Sequence, residues 1–294
     1  MELIDRASAI GFVGAGAVGG SLAVCLFRAG YQVVAVGSRT FASAQLFAQR
    51  IEGCRARGTA QEVVDAAKLV VISTPDDAIQ EVAEGLRWRP GQIAVHCSGA
   101  TSLDVFRHPV SQGVWVGALH PLQAFSSVEN GVDSIPGTTF GIEGNSEITS
   151  ALATMARHIG GRPVFLSAED KALYHLTGVM MGNLLTCLAA TAAQLWEQCG
   201  YSRAEGVDAL VPMMRGVVNN LERSGVPGSV AGPYVRGDLG TIRKHVETLA
   251  MRAPETLPLY RELARAALPF GVEKKALSQE TARRIEDILS ESGT

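Results

Sequence analysis

A chain of 294 residues has room for about two domains. Hydrophobic residues make up 47%, charged residues 19%, and the formal net charge is −3. This excludes a disordered chain and the basic footprint of a nucleic-acid binder. Five cysteines (Cys25, Cys54, Cys97, Cys187 and Cys199) form no CxxC pair. They fit reduced thiols rather than a disulfide framework or a zinc site, so no metal is expected. Residues 7–27 are uncharged, but Glu2, Asp5 and Arg6 before them are not the basic flank of a secretory signal, and five glycines interrupt the run. Residues 176–196 are long enough to cross a bilayer, yet they contain Asn183 and Gln194 and lack a basic flank. A helix buried on all sides, in a core or a dimer, gives the same pattern. The expectation is a soluble cytoplasmic protein without membrane contact.

In chain order, residues 9–13 read as a short apolar strand. Val18, Leu22, Cys25, Leu26 and Ala29 follow at helical spacing, with Gly30 placed as a C-cap. Residues 31–36 are a second, β-branched strand, 43–51 a helix, and 69–73 a third strand broken by Thr74-Pro75. Asp76 or Asp77 can cap the helix after it. Strands at 92–97, 114–119, 138–142 and 163–166 follow, with a helix at 147–159. Such alternation predicts an α/β domain, a doubly wound and mostly parallel sheet with helices on both faces. From Glu169 the pattern becomes helical only: one long helix at 169–199, then 203–223, 239–253, 256–270 and 278–291, interrupted by a Gly/Pro-rich segment at 224–238. The domain boundary falls near Ser167, giving 1–167 and 168–294.

Gly14-Ala15-Gly16-Ala17-Val18-Gly19 has GxGxxG spacing between the first strand and the first helix, the context that a dinucleotide-binding turn needs. Gly14 allows the tight turn, Gly16 lets backbone approach a pyrophosphate, and Gly19 permits close packing. The helix N-terminus offers free N–H groups and partial positive charge. NAD sites usually place a carboxylate after the second strand, but no Asp or Glu lies between Asp5 and Glu52. Ser38 and Arg39 stand there instead, which suits the 2′-phosphate of NADP. Thr74, Pro75 and Asp76, with Ser98 after the next strand, are placed to line the nicotinamide half, outside the carboxyl ends of the strands.

Hydride transfer to a small-molecule substrate needs a donor for the charge developing on oxygen or nitrogen. His120 stands at a strand end before Pro121, with Gln123 close behind. Lys171 and His175 are i, i+4 on the long helix and share a face, and Asn183 lies two turns on. A satisfied structural hydrogen bond is the competing role for each. Arg236, in a glycine-rich loop before Asp238, could anchor an anionic substrate, with a structural Arg–Asp turn as the alternative.

These segments carry a resemblance. The N-terminal half resembles the NADP-binding domain of ketopantoate reductase, pyrroline-5-carboxylate reductase, deazaflavin-dependent NADP reductases and β-hydroxyacid dehydrogenases. Across almost the whole chain, the sequence is similar to a group of predicted NADP oxidoreductases with a Rossmann-like domain and a helical C-terminal domain of unknown function. The carrying segments are His96-Cys97-Ser98-Gly99-Ala100, Ala118-Leu119-His120-Pro121-Leu122-Gln123-Ala124-Phe125, Tyr174-His175 with Asn183, and Gly232-Pro233 with Arg236-Gly237-Asp238. The resemblance implies an all-α C-terminal domain similar to that of 6-phosphogluconate dehydrogenase and an intertwined homodimer with the long helix in the interface. β-Hydroxyacid dehydrogenases carry Lys-x-x-x-Asn on this helix; Lys171 matches, and His175 replaces the asparagine. The expected activity is hydride transfer between NADPH and a small carbonyl, hydroxy acid or imine. In it, Lys171 or His120 donates the proton, His175 and Asn183 orient substrate, and Ser98, Gln123 and Arg236 contact it. A prephenate-like or imine-forming dehydrogenase and a non-enzymatic NADP(H)-binding redox sensor are the alternatives.

Overall fold

The computed structural model describes residues 3–291. Short, mostly apolar runs become strands buried on both faces: β1 (Ala9–Val13), β4 (Leu69–Ile72) and β5 (Ile93–His96). With β2 (Gln32–Gly37), β3 (Arg55–Arg57), β6 (Trp115–Pro121), β7 (Thr139–Gly144) and β8 (Arg162–Phe165), they form one eight-stranded sheet in the order β3-β2-β1-β4-β5-β6-β7-β8. Every neighbouring pair is parallel except β6–β7.

Helices cover both faces. On one, α1 (Ala17–Arg28), α2 (Phe41–Ala48) and α7 (Ser146–His158) pack Leu22, Leu26, Phe47, Leu152 and Ala156 against Phe12, Val71 and Val95. On the other, α3 (Ala60–Ala66), α4 (Ile79–Glu84) and the turn leading into α5 (Arg107–Ser111) bring Val63, Val64, Ile79 and Phe106 onto Val70, Ile72 and Ala94. The helix α6 (Val128–Ser134) lies on α1, where a Cβ at Gly20 would stand 2.6 Å from Val128. Each fully buried aliphatic side chain contributes about 1.5–3 kcal/mol to the stability of this sandwich.

β3 and α3 fall in a stretch to which the pattern assigns no element. β3 is a three-residue edge strand reading Arg-Ala-Arg, with no apolar periodicity to show it. For α3 a signal was present: Thr59 and Glu62 form a capping box.

The chain divides into two compact units between Asn183 and Leu184. The helix α8 (Ala168–Val179) stays with the sheet because Lys171 pairs with Glu143 of β7, and Gly178 brings the helix against Leu122. Helical backbone runs on from Ala168 to Glu197 through a π-type turn, Met180–Leu184, into α9 (Leu185–Glu197). By length and composition this run could cross a membrane. The expected all-round burial is not found within the chain: in α8 and α9, only Lys171 and Ala193 are buried, while Leu173, Met180 and Met181 are exposed.

The second unit adds α10 (Arg203–Gly228), α11 (Pro233–Arg236), α12 (Leu239–Arg252), α13 (Leu257–Glu273) and α14 (Gln279–Ser290). α10 loses helical geometry at Gly225 and Val226, where the Gly/Pro-rich segment begins. Ile242, Leu257, Ala264, Leu268, Ile285 and Leu289 form this unit's own core.

Candidate active site

The turn after β1 has the geometry its glycines predict. Gly14 takes φ +111, and a Cβ there would stand 2.7 Å from the backbone of Ser73. Gly19 is equally closed, with Ser73 Oγ 2.2 Å from its virtual Cβ. Gly16 is different: nothing lies within 4 Å of its virtual Cβ. The turn is pinned by Gly14 N–H, which donates to Gly37 O (2.9 Å), and by Ser73 Oγ, which donates to Gly14 O (3.1 Å). Gly16 is the N-cap of α1, no side chain caps it, and the first helical turn contains no carboxylate. Unpaired N–H groups and the positive helix end therefore face an open cradle built from Ala15, Gly16, Ala17 and Val18.

The Gly14–Gly37 bond sets the end of β2 beside this turn. Ser38 is half-buried and Arg39 exposed, and among the described residues Arg39 makes no ion pair. Arg57 stands opposite Gly37 in the β2–β3 register, and its buried Nε has no hydrogen-bond partner among the described residues. No apolar pattern in the sequence marks Arg57, because β3 has none.

The loops after β4 and β5 are tied together. Ser98 Oγ donates to Asp76 Oδ2 (2.6 Å) and accepts from Thr101 N–H (3.0 Å). The Thr74 hydroxyl oxygen is buried and unpartnered among the described residues. Inside the β5 end, His96 is fully buried, and its Nδ1 accepts from Ser98 N–H at 3.2 Å. Burial, then the Lys171 charge, pushes His96 down to about 3, so the ring is neutral.

Gly99 opens the β5 end to two imidazoles. A Cβ there would stand 2.6 Å from His175 Cδ2 and 2.8 Å from His120 Cε1 and Nε2. The His120 and His175 rings meet edge-on, with centroids 5.7 Å apart. Burial, with His175 and Lys171 adding to it, pushes His120 down to about 4. His120 is thus a neutral, half-buried imidazole at a strand end.

Lys171 comes to the same region but is otherwise engaged. Its Nζ is 2.9 Å from Glu143 Oε2 and also donates to Thr101 O, and the residue is 2% exposed. Burial lowers its affinity for the proton, and Glu143 acts against that. The pair braces the 98–101 turn and leaves His120 as the group beside the open end. Glu143 was missed, although a carboxylate at the end of an apolar strand signals a buried charge that needs a partner.

The other expected residues each have their own surroundings. Gln123 turns to its own loop, accepting from Ala124 N–H and reaching Ser134 O and Thr138 Oγ1. Asn183 is exposed on the π turn. Arg236 is exposed at the end of α11, where Gly237 supplies the left-handed C-cap and Val235 anchors the turn.

Residues 2–121 match the profile of a Rossmann-like domain, and residues 138–267 match that of a domain of unknown function, DUF2520. No curated protein matches the chain. Among solved structures, a candidate NADP oxidoreductase from Bacteroides fragilis is 27% identical with a TM-score of 0.72, over 90% of this chain and 99% of that one. A Thermotoga maritima protein is 24% identical, TM-score 0.69, over 90% and 99%. An imine reductase from a Pseudomonas species is 20% identical, TM-score 0.57, over 96% and 92%. The chain combines a Rossmann-like domain with DUF2520, the pairing that the sequence resemblance implied.

Proposed function

We propose that the chain is an NADP(H)-dependent oxidoreductase acting on a small carbonyl, hydroxy-acid or imine compound. The observation that carries this is the cradle at Gly14–Gly19, closed by Ser73 at both outer glycines and open at Gly16, over a helix N-terminus free of capping side chains and carboxylates. Backbone groups from Gly14 to Gly19 would hold the pyrophosphate. Ser38 and Arg39 would take the 2′-phosphate, with no acidic residue from Arg6 to Ile51 to repel it. Thr74, Pro75, Asp76 and Ser98 would border the nicotinamide half. When bound, the coenzyme supplies or accepts the hydride.

The chain's own contribution centres on His120. A neutral imidazole at the strand end donates a hydrogen bond to the acceptor atom of the substrate, and His175 packs beside it. Lys171, engaged with Glu143, supports the turn instead of donating a proton. Arg236 is the exposed cation assigned to an anionic substrate group, and Asn183 the exposed amide assigned to orientation. Apolar side chains left open on α8 and α10, among them Leu173, Leu176, Met213 and Val217, support a homodimer. The Lys171–Glu143 pair, with Lys171 in the first turns of α8, ties the long helix to the sheet and supports a helix seated on a soluble fold. Likeness to a candidate NADP oxidoreductase of Bacteroides fragilis supports the coenzyme assignment.

The test is coenzyme oxidation or reduction across 2-oxo acids, cyclic imines and prephenate. Turnover in one class, lost in His120→Gln with NADPH affinity kept, supports the assignment. Undiminished turnover in His120→Gln removes His120 from the chemistry. Tight NADPH binding without turnover, together with a partner whose affinity follows the NADPH/NADP ratio, would instead indicate a redox sensor.

A further inference from the structure

Tyr174 lies on α8 beside His175, and its ring packs against a glycine of β7. A Cβ at Gly141 would stand 2.8 Å from Tyr174 Cε1 and Cζ. Gly141 N–H donates to Tyr174 Oη at 3.1 Å. Oη is in turn 3.2 Å from His120 Nδ1 and 3.3 Å from His120 O. The two rings meet edge to face, with centroids 5.5 Å apart. Gly141 is the register partner of His120 across β6–β7, so backbone pairing fixes all three groups at one rung of the sheet.

A phenol has one proton to give, and a neutral imidazole has one N–H. With Oη already accepting from Gly141, its proton is available to Nδ1, the nearer of its two acceptors. The ring hydrogen must then sit on Nε2, the atom that faces Gly99. We propose that Tyr174 is a positioning residue that holds His120 in the Nε2–H tautomer, so that a neutral ring presents a hydrogen-bond donor toward substrate. The opposite arrangement sends the phenol proton to His120 O and places the ring hydrogen on Nδ1. It would aim a lone pair at the atom where negative charge develops during hydride addition. The role in catalysis rests on the function proposed above; the tautomer does not. Burial pushes the Tyr174 phenol up to about 12, which keeps it a donor at neutral pH.

The experiment is two-bond ¹⁵N–¹H correlation of the labelled full-length protein. Its samples are the wild type, Tyr174→Phe, and His120→Gln to assign the ring. The expected wild-type spectrum has an unprotonated Nδ1 and a protonated Nε2 on His120. Tyr174→Phe should give a tautomer mixture and raise the His120 midpoint, because the donor that favoured the neutral ring is gone. Turnover should fall roughly tenfold with NADPH affinity unchanged, the size expected for one oriented hydrogen bond. Nδ1–H in the wild type overturns the proposal even if Tyr174→Phe fails to fold. An unchanged tautomer in Tyr174→Phe overturns it as well. Failure of the wild type to bind NADPH removes the oxidoreductase assignment and leaves the tautomer result standing on its own.

Discussion

Lys171 and Glu143 form a buried ion pair whose removal has a calculable cost. Nζ and Oε2 are 2.9 Å apart, and the side chains are 2% and 10% exposed. Glu143→Gln leaves a buried ammonium with only Thr101 O and a neutral amide for partners. Breaking such a pair by removing one member costs about 3–5 kcal/mol. At about 2–4 °C per kcal/mol for a unit of this size, calorimetry should show Tm falling by roughly 6–20 °C. Lys171→Met strands the carboxylate and should cost a similar amount. Combining Lys171→Met with Glu143→Leu should recover most of the loss, since an apolar pair of similar volume carries no desolvation penalty. In Glu143→Gln, Lys171 sheds its proton more easily in the folded state than in the unfolded one. The deficit therefore narrows as pH rises toward the ordinary lysine value, 10.5. Single variants within about 1 kcal/mol of wild type, or a double variant as unstable as the sum of the two, would refute the pairing.

Three further outcomes follow from the geometry. Gly16→Ala meets no atom within 4 Å and should leave Tm unchanged, yet it fills the cradle; equilibrium titration should show NADPH affinity falling at least about tenfold. Gly99→Ala would place a Cβ 2.6–2.8 Å from His175 and His120, so the rings must move, and turnover should fall more than coenzyme affinity does. His96 and His120 are held at about 3 and about 4 against an ordinary 6.5, so both are neutral when folded and take protons more readily when unfolded. Stability is then full above about pH 6.5 and is lost as pH falls, by about 1.4 kcal/mol per unit for each ring. Urea unfolding at pH 7 and pH 5 should differ by roughly 2–4 kcal/mol, and His96→Gln should shrink that difference.

The turn between β1 and α1 was legible because its signals are local. A short apolar strand, three spaced glycines and a helix read directly from the sequence, as did the missing carboxylate after β2. The imidazole cluster was only half legible. Lys171 and His175 share a face by helical period, but nothing local shows that Lys171 is paired with Glu143, 28 residues earlier in sequence. Tyr174 carries no signal by itself; its role depends on Gly141, which the antiparallel β6–β7 pairing sets opposite His120. The partners of Gln123 were not legible either: its amide accepts from Ala124 N–H and reaches Ser134 O and Thr138 Oγ1 across the turn that follows His120-Pro121. β3 and its Arg57 are not legible in the sequence because an edge strand of Arg-Ala-Arg has no buried face to pattern.

The most direct measurement is calorimetric titration of wild type and Arg39→Ala with NADPH and with NADH. The account predicts that wild type binds NADPH at least about tenfold more tightly, a difference of about 1.4 kcal/mol, and that Arg39→Ala binds the two alike. Equal affinities in the wild type would contradict the role of Arg39, and no binding of either coenzyme would contradict the oxidoreductase assignment itself.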